Sequence, residues 1–277
     1  MGARSRARGW TGRIRRWALR LAAGFVLLSV GWVLLYAIVP PPVTPLMLIR
    51  ALGGAGIDRR WGLWLAGGFM LLSVGWVLLY ALVPPPVTPL MLIRALGGAG
   101  IDRRWVPASA IDPDAFRAVI AGEDNLFCEH HGFDWQAIRS AWQRNQRGGQ
   151  IYGGSTLTMQ TAKNLFLWPG RSFVRKGFEA YFTVLLELFL SKRRILVLYL
   201  NTVEWGSGVY GIEAAAQTQF HKSAATLTAR EAALLAAVLP NPRRWSPARP
   251  TPYIAHRAGV IVERMGQMPG RPGDPCG

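Results

Sequence analysis

Three short segments of this chain gather side chains that can move protons or hold anions. The first runs Glu123-Asp124-Asn125-Leu126-Phe127-Cys128-Glu129-His130-His131-Gly132-Phe133-Asp134, directly after the apolar run Phe116–Ala121. A carboxylate leaving an apolar helix sits in a partly desolvated cleft, where its pKa rises toward general acid or base use. Taken alone, the segment reads equally as a polar loop with a helix cap. His130 and His131 are adjacent and point different ways, so they do not read as a metal pair.

The second segment, Gly153-Gly154-Ser155-Thr156-Leu157-Thr158-Met159-Gln160, is a glycine turn opening a helix. A helix N-terminus presents free N–H groups and a positive dipole end to an anion, and the hydroxyls and Lys163 add to that. It is not a phosphate-binding P-loop, because the GxxxxGK[ST] spacing is missing. An ordinary capped helix start is the plain alternative. The third segment, Arg171 to Glu179, sets Arg171, Arg175 and Lys176 beside one carboxylate at the start of a long helix. Cations there oppose the helix dipole, a local cost that suggests they face an anion such as a diphosphate. A solvated helix face is the alternative.

These side chains need a scaffold, and from Val106 onward the pattern is mainly helical. Asp112-Pro113 predicts a cap and first turn for a helix through Ala121. Asp134 caps a second helix, Trp135–Gln146, and Ser155 a third, through about Phe166. Phe173–Leu190, Lys192–Leu200 and Tyr210–Phe220 read as further helices. Thr228 and Glu231 form a capping box opening a helix to Leu239, and Tyr253–Met268 reads as a last one. No series of strands is evident. Residues 269–277 read as a disordered tail. The two cysteines, Cys128 and Cys276, form no CxxC pair and read as free thiols.

The N-terminal region is different. The 277-residue chain has a formal net charge of +17, of which residues 1–105 hold +11. Arg4, Arg6, Arg8, Arg13, Arg15, Arg16 and Arg20 precede an apolar run with no acid among them, which marks a cytoplasmic side and argues against nucleic-acid binding. Residues 17–60 then repeat as 61–104 with five differences. Two copies are too few for a solenoid, which needs about three, so the repeat reads as a tandem duplication. The apolar stretches Leu21–Val39 and Gly62–Val83 each have about the 20 residues that span a bilayer core, and each ends at three prolines. The first lacks a convincing signal-peptide cleavage site. The organisation expected is a basic segment 1–20, a duplicated transmembrane segment 21–105, a catalytic domain 106–268 and the tail.

Together the three chemical segments resemble the peptidoglycan glycosyltransferase family. Glu123–Asp134 is similar to its first motif, EDxxFxxHxGxD; Gly153–Gln160 to GGSTxTxQ; and Arg175, Lys176 and Glu179 to RKxxE. Lys192–Asn201 is similar to KxxILExYLN, and Gly211–Ala216 with Phe220 and Lys222 to the fifth motif. The resemblance covers roughly residues 105–265, and within the family it is to the monofunctional biosynthetic transglycosylases. Val197 stands where the fourth motif has glutamate, and Gln219 where an aromatic is common in the fifth.

The resemblance implies a mainly α, lysozyme-like domain that polymerises lipid II with inversion and releases undecaprenyl pyrophosphate. It makes Glu123 the general base and Glu179 the second catalytic glutamate, near the donor diphosphate. Lys163 and Arg171 match phosphate-binding positions. Ser155, Thr156 and Gln160 are donor-side residues, with Arg175 and Lys176 beside them. Asp124, Phe127 and Asn201 are supporting residues. Cations or a divalent ion, magnesium or manganese, must offset the leaving charge. The implied setting is the bacterial inner membrane with the domain in the periplasm, and other cell-wall synthesis proteins are candidate partners. Outward placement needs an odd number of spans, so one copy, Gly62–Val83, is expected to cross. With no SxxK motif and no room for a transpeptidase domain, a monofunctional enzyme is expected. A lysozyme-like hydrolase and a catalytically impaired membrane scaffold are the rival readings.

Overall fold

A computed structural model describes residues 59–146, 153–170 and 172–268, and Cys276. The basic segment, the first apolar copy, Arg171 and most of the tail lie outside the described residues. The chain divides into two compact units, Met1–Leu71 and Leu72–Gly277. Of the first, only the opening of helix α1 (Arg59–Leu82) is described.

Within α1, the 19 residues Trp64–Leu82 have a mean hydropathy of 2.0, long and apolar enough to cross a membrane. This agrees with the expected span to within a few residues. In the second unit its last turns meet the helical domain. The Ser73 and Tyr181 hydroxyls lie 2.5 Å apart, and Trp76 and Tyr80 pack on Phe166, which stacks on Phe182. Arg194 donates to the terminal carbonyls Tyr80 O (2.6 and 2.9 Å) and Val83 O (3.3 Å), which have no partner inside α1. After the prolines, Thr88 caps a short helix α2 (Pro89–Leu96).

The domain helices follow closely: α3 (Pro113–Glu123), α4 (Trp135–Gln146), α5 (Leu157–Phe166), α6 (Phe173–Phe189), α7 (Lys192–Thr202), α8 (Ile212–Phe220), α9 (Ala229–Val238) and α10 (Pro252–Gln267). The Ala/Leu-rich α9, opened by the expected Thr228–Glu231 capping box, is buried between α3 and α10. Helix α5 packs on α6 and α7, and Ile195–Leu200 of α7 are all buried. The domain is therefore mainly helical, as expected.

Four expectations are corrected. Thr156, not Ser155, caps α5, because its Oγ1 both accepts from Met159 N (3.2 Å) and donates to Gly132 O (2.6 Å). Helix α8 begins at Ile212, not Tyr210, because Gly211 turns the chain with φ +87°. A small sheet is present: β1 (Asp102–Arg103) pairs in parallel with β3 (Val209–Tyr210), which pairs antiparallel with β2 (Glu204–Gly206). Finally, Cys128 and Cys276 are not free. They form a disulfide joining the segment after α3 to the end of the chain.

Val197 is buried on α7, one turn from Arg194 and one from Asn201. Arg103 and Arg194 both lie over the Trp105 ring, at 5.4 and 5.6 Å. Arg103 donates from Nε to Asn201 O (3.3 Å) and from Nη1 to Pro86 O (2.6 Å), but its Nη2 is buried without a partner. Burial holds its pKa below the usual arginine value. A buried guanidinium N–H with no acceptor is a cost, and position 197 lies on α7 between Arg194, which shares the Trp105 ring with Arg103, and Asn201, whose carbonyl Arg103 binds. Val197→Glu is therefore expected to raise the melting temperature, by about 2–4 °C for each kcal/mol recovered. A lower melting temperature in a thermal scan would show that the surroundings have repacked around valine.

Candidate active site

Glu123 is the last residue of α3, whose start is fixed by Asp112, accepting from Asp114 N at 2.9 Å, and by Pro113. The apolar residues Ala118–Ala121 bury the helix and carry the carboxylate inward. Each Glu123 oxygen has a partner. Oε2 accepts from Gln160 Nε2 at 3.0 Å, and Oε1 meets Arg257 Nη2 at 3.4 Å. Gln160 Oε1 in turn accepts from the Tyr199 hydroxyl at 3.1 Å. Burial pushes the Glu123 pKa up, while Gln160, Arg257 and Lys163 work against that rise.

Asp124 ties two segments together. Its carboxylate accepts from Leu157 N (2.8 Å), the first N–H of α5, and contacts His130 Nε2 at 2.9 Å. A carboxylate at a helix N-terminus is favourable. Gly132, with φ +86°, lets the loop turn against α6; a Cβ there would stand 2.8 Å from Thr183 Cγ2. Phe127 is fully buried below this loop, with Lys192 Nζ 4.5 Å from its ring centroid. Lys192 also donates to His130 O (2.6 Å) and Glu187 (2.9 Å), and Glu187 accepts from Thr158.

Glu179 is buried on α6 and holds two cations, Arg175 Nη1 at 2.7 Å and Lys176 Nζ. Lys176 also reaches the exposed Ser155 hydroxyl at 3.1 Å. A pocket of about 300 Å³ lies against Ser172, Phe173, Arg175 and Lys176. Lys163, on α5, senses Glu179, Arg175, Lys176 and Glu123, and burial lowers its pKa. It makes no ion pair within 4.0 Å among the described residues. The described residues contain no group of three His, Cys, Asp or Glu that could hold a metal. Glu179 already carries two cations, so this donor set does not fit a protein-held divalent ion.

The structure thus brings Glu123, Asp124 and Gln160 together, and separately Ser155, Arg175, Lys176 and Glu179, with Lys163 sensing both groups. Asn201 lies elsewhere: it pairs with both Val106 N and Val106 O and with Val197 O, pinning the entry to the domain. Sequence reasoning assigned no part to Tyr199, Arg257, Glu187 or Lys192. Tyr199 and Lys192 lie inside the fourth motif and could have been singled out there; Arg257 has no motif around it.

The transglycosylase family model matches residues 91–266, more than half of the chain. The chain belongs to that family. It is 59% identical over 160 residues to a biosynthetic peptidoglycan transglycosylase of Rhodospirillum centenum, an overlap of 58% of this chain and 69% of the relative. A protein of the same name from Pseudomonas syringae pv. syringae is 55% identical over 164 residues, 59% of this chain and 70% of the relative. One from Caulobacter vibrioides is 54% identical over 162 residues, 58% and 71% respectively.

Proposed function

We propose that this chain is a peptidoglycan glycosyltransferase that polymerises lipid II into glycan strands and releases undecaprenyl pyrophosphate. Glu123 takes the proton from the acceptor sugar's 4-hydroxyl. The freed oxygen attacks the donor's anomeric carbon, and the bond to the lipid diphosphate breaks with inversion. Arg175, Lys176 and Lys163 face the departing diphosphate, with Arg171 assigned to the same role. The domain takes the lysozyme-like form of its family.

The observation that carries this reading is the pairing of a partly buried, pKa-raised carboxylate at Glu123 with a cation set around Glu179. A hydrolase cutting glycan has no diphosphate to neutralise, so the cations favour transfer over hydrolysis. Incubating the purified protein with lipid II tests it. Longer strands are expected; shortening of preformed strands, or no change, would refute the reading.

Helix α1 anchors the domain in the bacterial inner membrane, with the domain in the periplasm and the first copy not crossing. Disulfides form and persist in oxidising compartments, and Cys128–Cys276 supports this placement. The 17–60 copy then reads as a duplication dispensable for activity. Deleting residues 17–60 is expected to leave glycan synthesis intact. A Gln143→Cys variant, cysteine at an exposed site of α4, is expected to react with a membrane-impermeant maleimide from outside the cell. Labelling only from the cytoplasm would overturn the topology.

A further inference from the structure

We infer that Arg257 is a positioning residue for the reaction, holding the Glu123 carboxylate in register from helix α10 while Tyr199, through Gln160, holds its other oxygen. The inference rests on Glu123 being the base that polymerises glycan.

Arg257 Nη2 donates to Gly122 O at 3.2 Å and meets Glu123 Oε1 at 3.4 Å. Gly122 O is one of the last carbonyls of α3, which have no partner inside the helix. One guanidinium thus grips both the helix end and the carboxylate it carries. Arg257 Nε is buried without a partner. Nε and Nη2 form the side-on edge of a guanidinium, so a small rotation turns the single contact into a two-point fork. A buried donor in want of a partner costs energy, and a carboxylate next to it is the acceptor within reach.

The rest of α10 is fixed against α3, which gives Arg257 a rigid base. A Cβ on Gly122 would meet Ile261 Cδ1 at 3.2 Å, so the two helices touch there. Arg264 Nη1 donates to Ala121 O at 3.3 Å, and Arg117 Nη2 to Met265 O. On the other oxygen, the Tyr199 hydroxyl donates to Gln160 Oε1, and that decides which end of the amide faces Glu123. The base is thereby held at both oxygens by groups on two helices, α10 and α5, the second backed by α7.

The charged and titratable groups facing Glu123 are Asp124 beside it, Lys163 on α5, Arg257 on α10 and the Tyr199 hydroxyl on α7. Removing the Arg257 charge removes one influence that favours the ionised carboxylate. The acid limb of the kcat pH profile must then move to higher pH.

The test uses the full chain and lipid II. Arg257→Gln is expected to lower kcat by up to about 10²-fold, as a misplaced reacting group does. It should leave KM nearly unchanged and raise the acid limb by about one pH unit. Arg257→Lys keeps the charge and loses the fork, so its limb should stay near wild type while kcat falls. Arg264→Gln removes a neighbouring cap that does not touch Glu123, and its limb should not move. A wild-type limb position in Arg257→Gln, or an equal shift in Arg264→Gln, would overturn the inference. Should Arg257→Gln fail to fold, Arg257→Lys decides: a wild-type kcat overturns the inference and a reduced kcat at an unmoved limb supports it. A wild-type chain that makes no glycan overturns this inference together with the proposed function; an active wild type with an unmoved Arg257→Gln limb overturns this inference alone.

Discussion

Glu123→Gln is expected to lower the rate of glycan polymerisation by about 10²–10⁴-fold, the span over which a positioned acid or base contributes. Glutamine keeps the size and planar shape of the side chain but cannot take the acceptor's proton. The fold should survive the change, and the sign can be worked out. Burial raises the Glu123 pKa in the folded state, so the folded protein binds that proton more tightly than the unfolded one. Ionising the group as pH rises through this range therefore costs stability, and an uncharged glutamine removes that cost. A thermal scan at neutral pH should show a melting temperature at or above wild type. With Glu123 as the proposed base, the same raised pKa is expected to set the acid limb of wild-type kcat above the ordinary carboxylate range, because a base works only when ionised. Strand synthesis by Glu123→Gln at a near-normal rate would remove Glu123 from the role of base.

Much of this site could be read from the chain because its chemistry lies in short, ordered segments. Glu123 and Gln160 meet because each sits at the end or first turn of a helix whose start the sequence announces, at Asp112 for α3 and, one residue early, at Ser155 for α5. That Thr156 and not Ser155 is the cap is tertiary information, since the Thr156 hydroxyl is held by a carbonyl from the loop at Gly132. The two- and three-residue strands are too short to show an alternating pattern. Two lone cysteines have no spacing rule, and the approach of Cys276 to Cys128 across 148 residues is a product of the fold. Arg257 was hidden for the same reason. It is one arginine on an amphipathic helix, and only the packing of α10 on α3 brings it to Glu123. Tyr199 was masked differently, because a fully buried aromatic among leucines reads as core.

Lys163→Ala is expected to weaken use of the donor by about 10²-fold in kcat/KM while changing use of the acceptor much less, the loss typical of removing one preorganised donor from a developing negative charge. Arg175 and Lys176 are engaged by Glu179, so three cations with Lys163 face one carboxylate and leave two positive charges at the position proposed for the diphosphate. Lys163 is the member of that set with no ion pair within 4.0 Å among the described residues, and so the one whose charge is most available to substrate. Burial is the main cause of its lowered pKa, with Arg175 and Lys176 adding to it and Glu179 and Glu123 opposing. A buried lysine short of a counter-charge is stabilised when an anion arrives, so binding energy concentrates on the phosphate. The lowered pKa also predicts an alkaline limb of kcat/KM below the ordinary lysine range, since the free enzyme loses this proton as pH rises. Lys163→Arg separates charge from titration: arginine stays protonated, so the alkaline limb should move up and part of the donor affinity should return. Kinetics with donor and acceptor varied separately decide the matter. Equal losses on both sides in Lys163→Ala, or an alkaline limb that stays put in Lys163→Arg, would take Lys163 out of the diphosphate site.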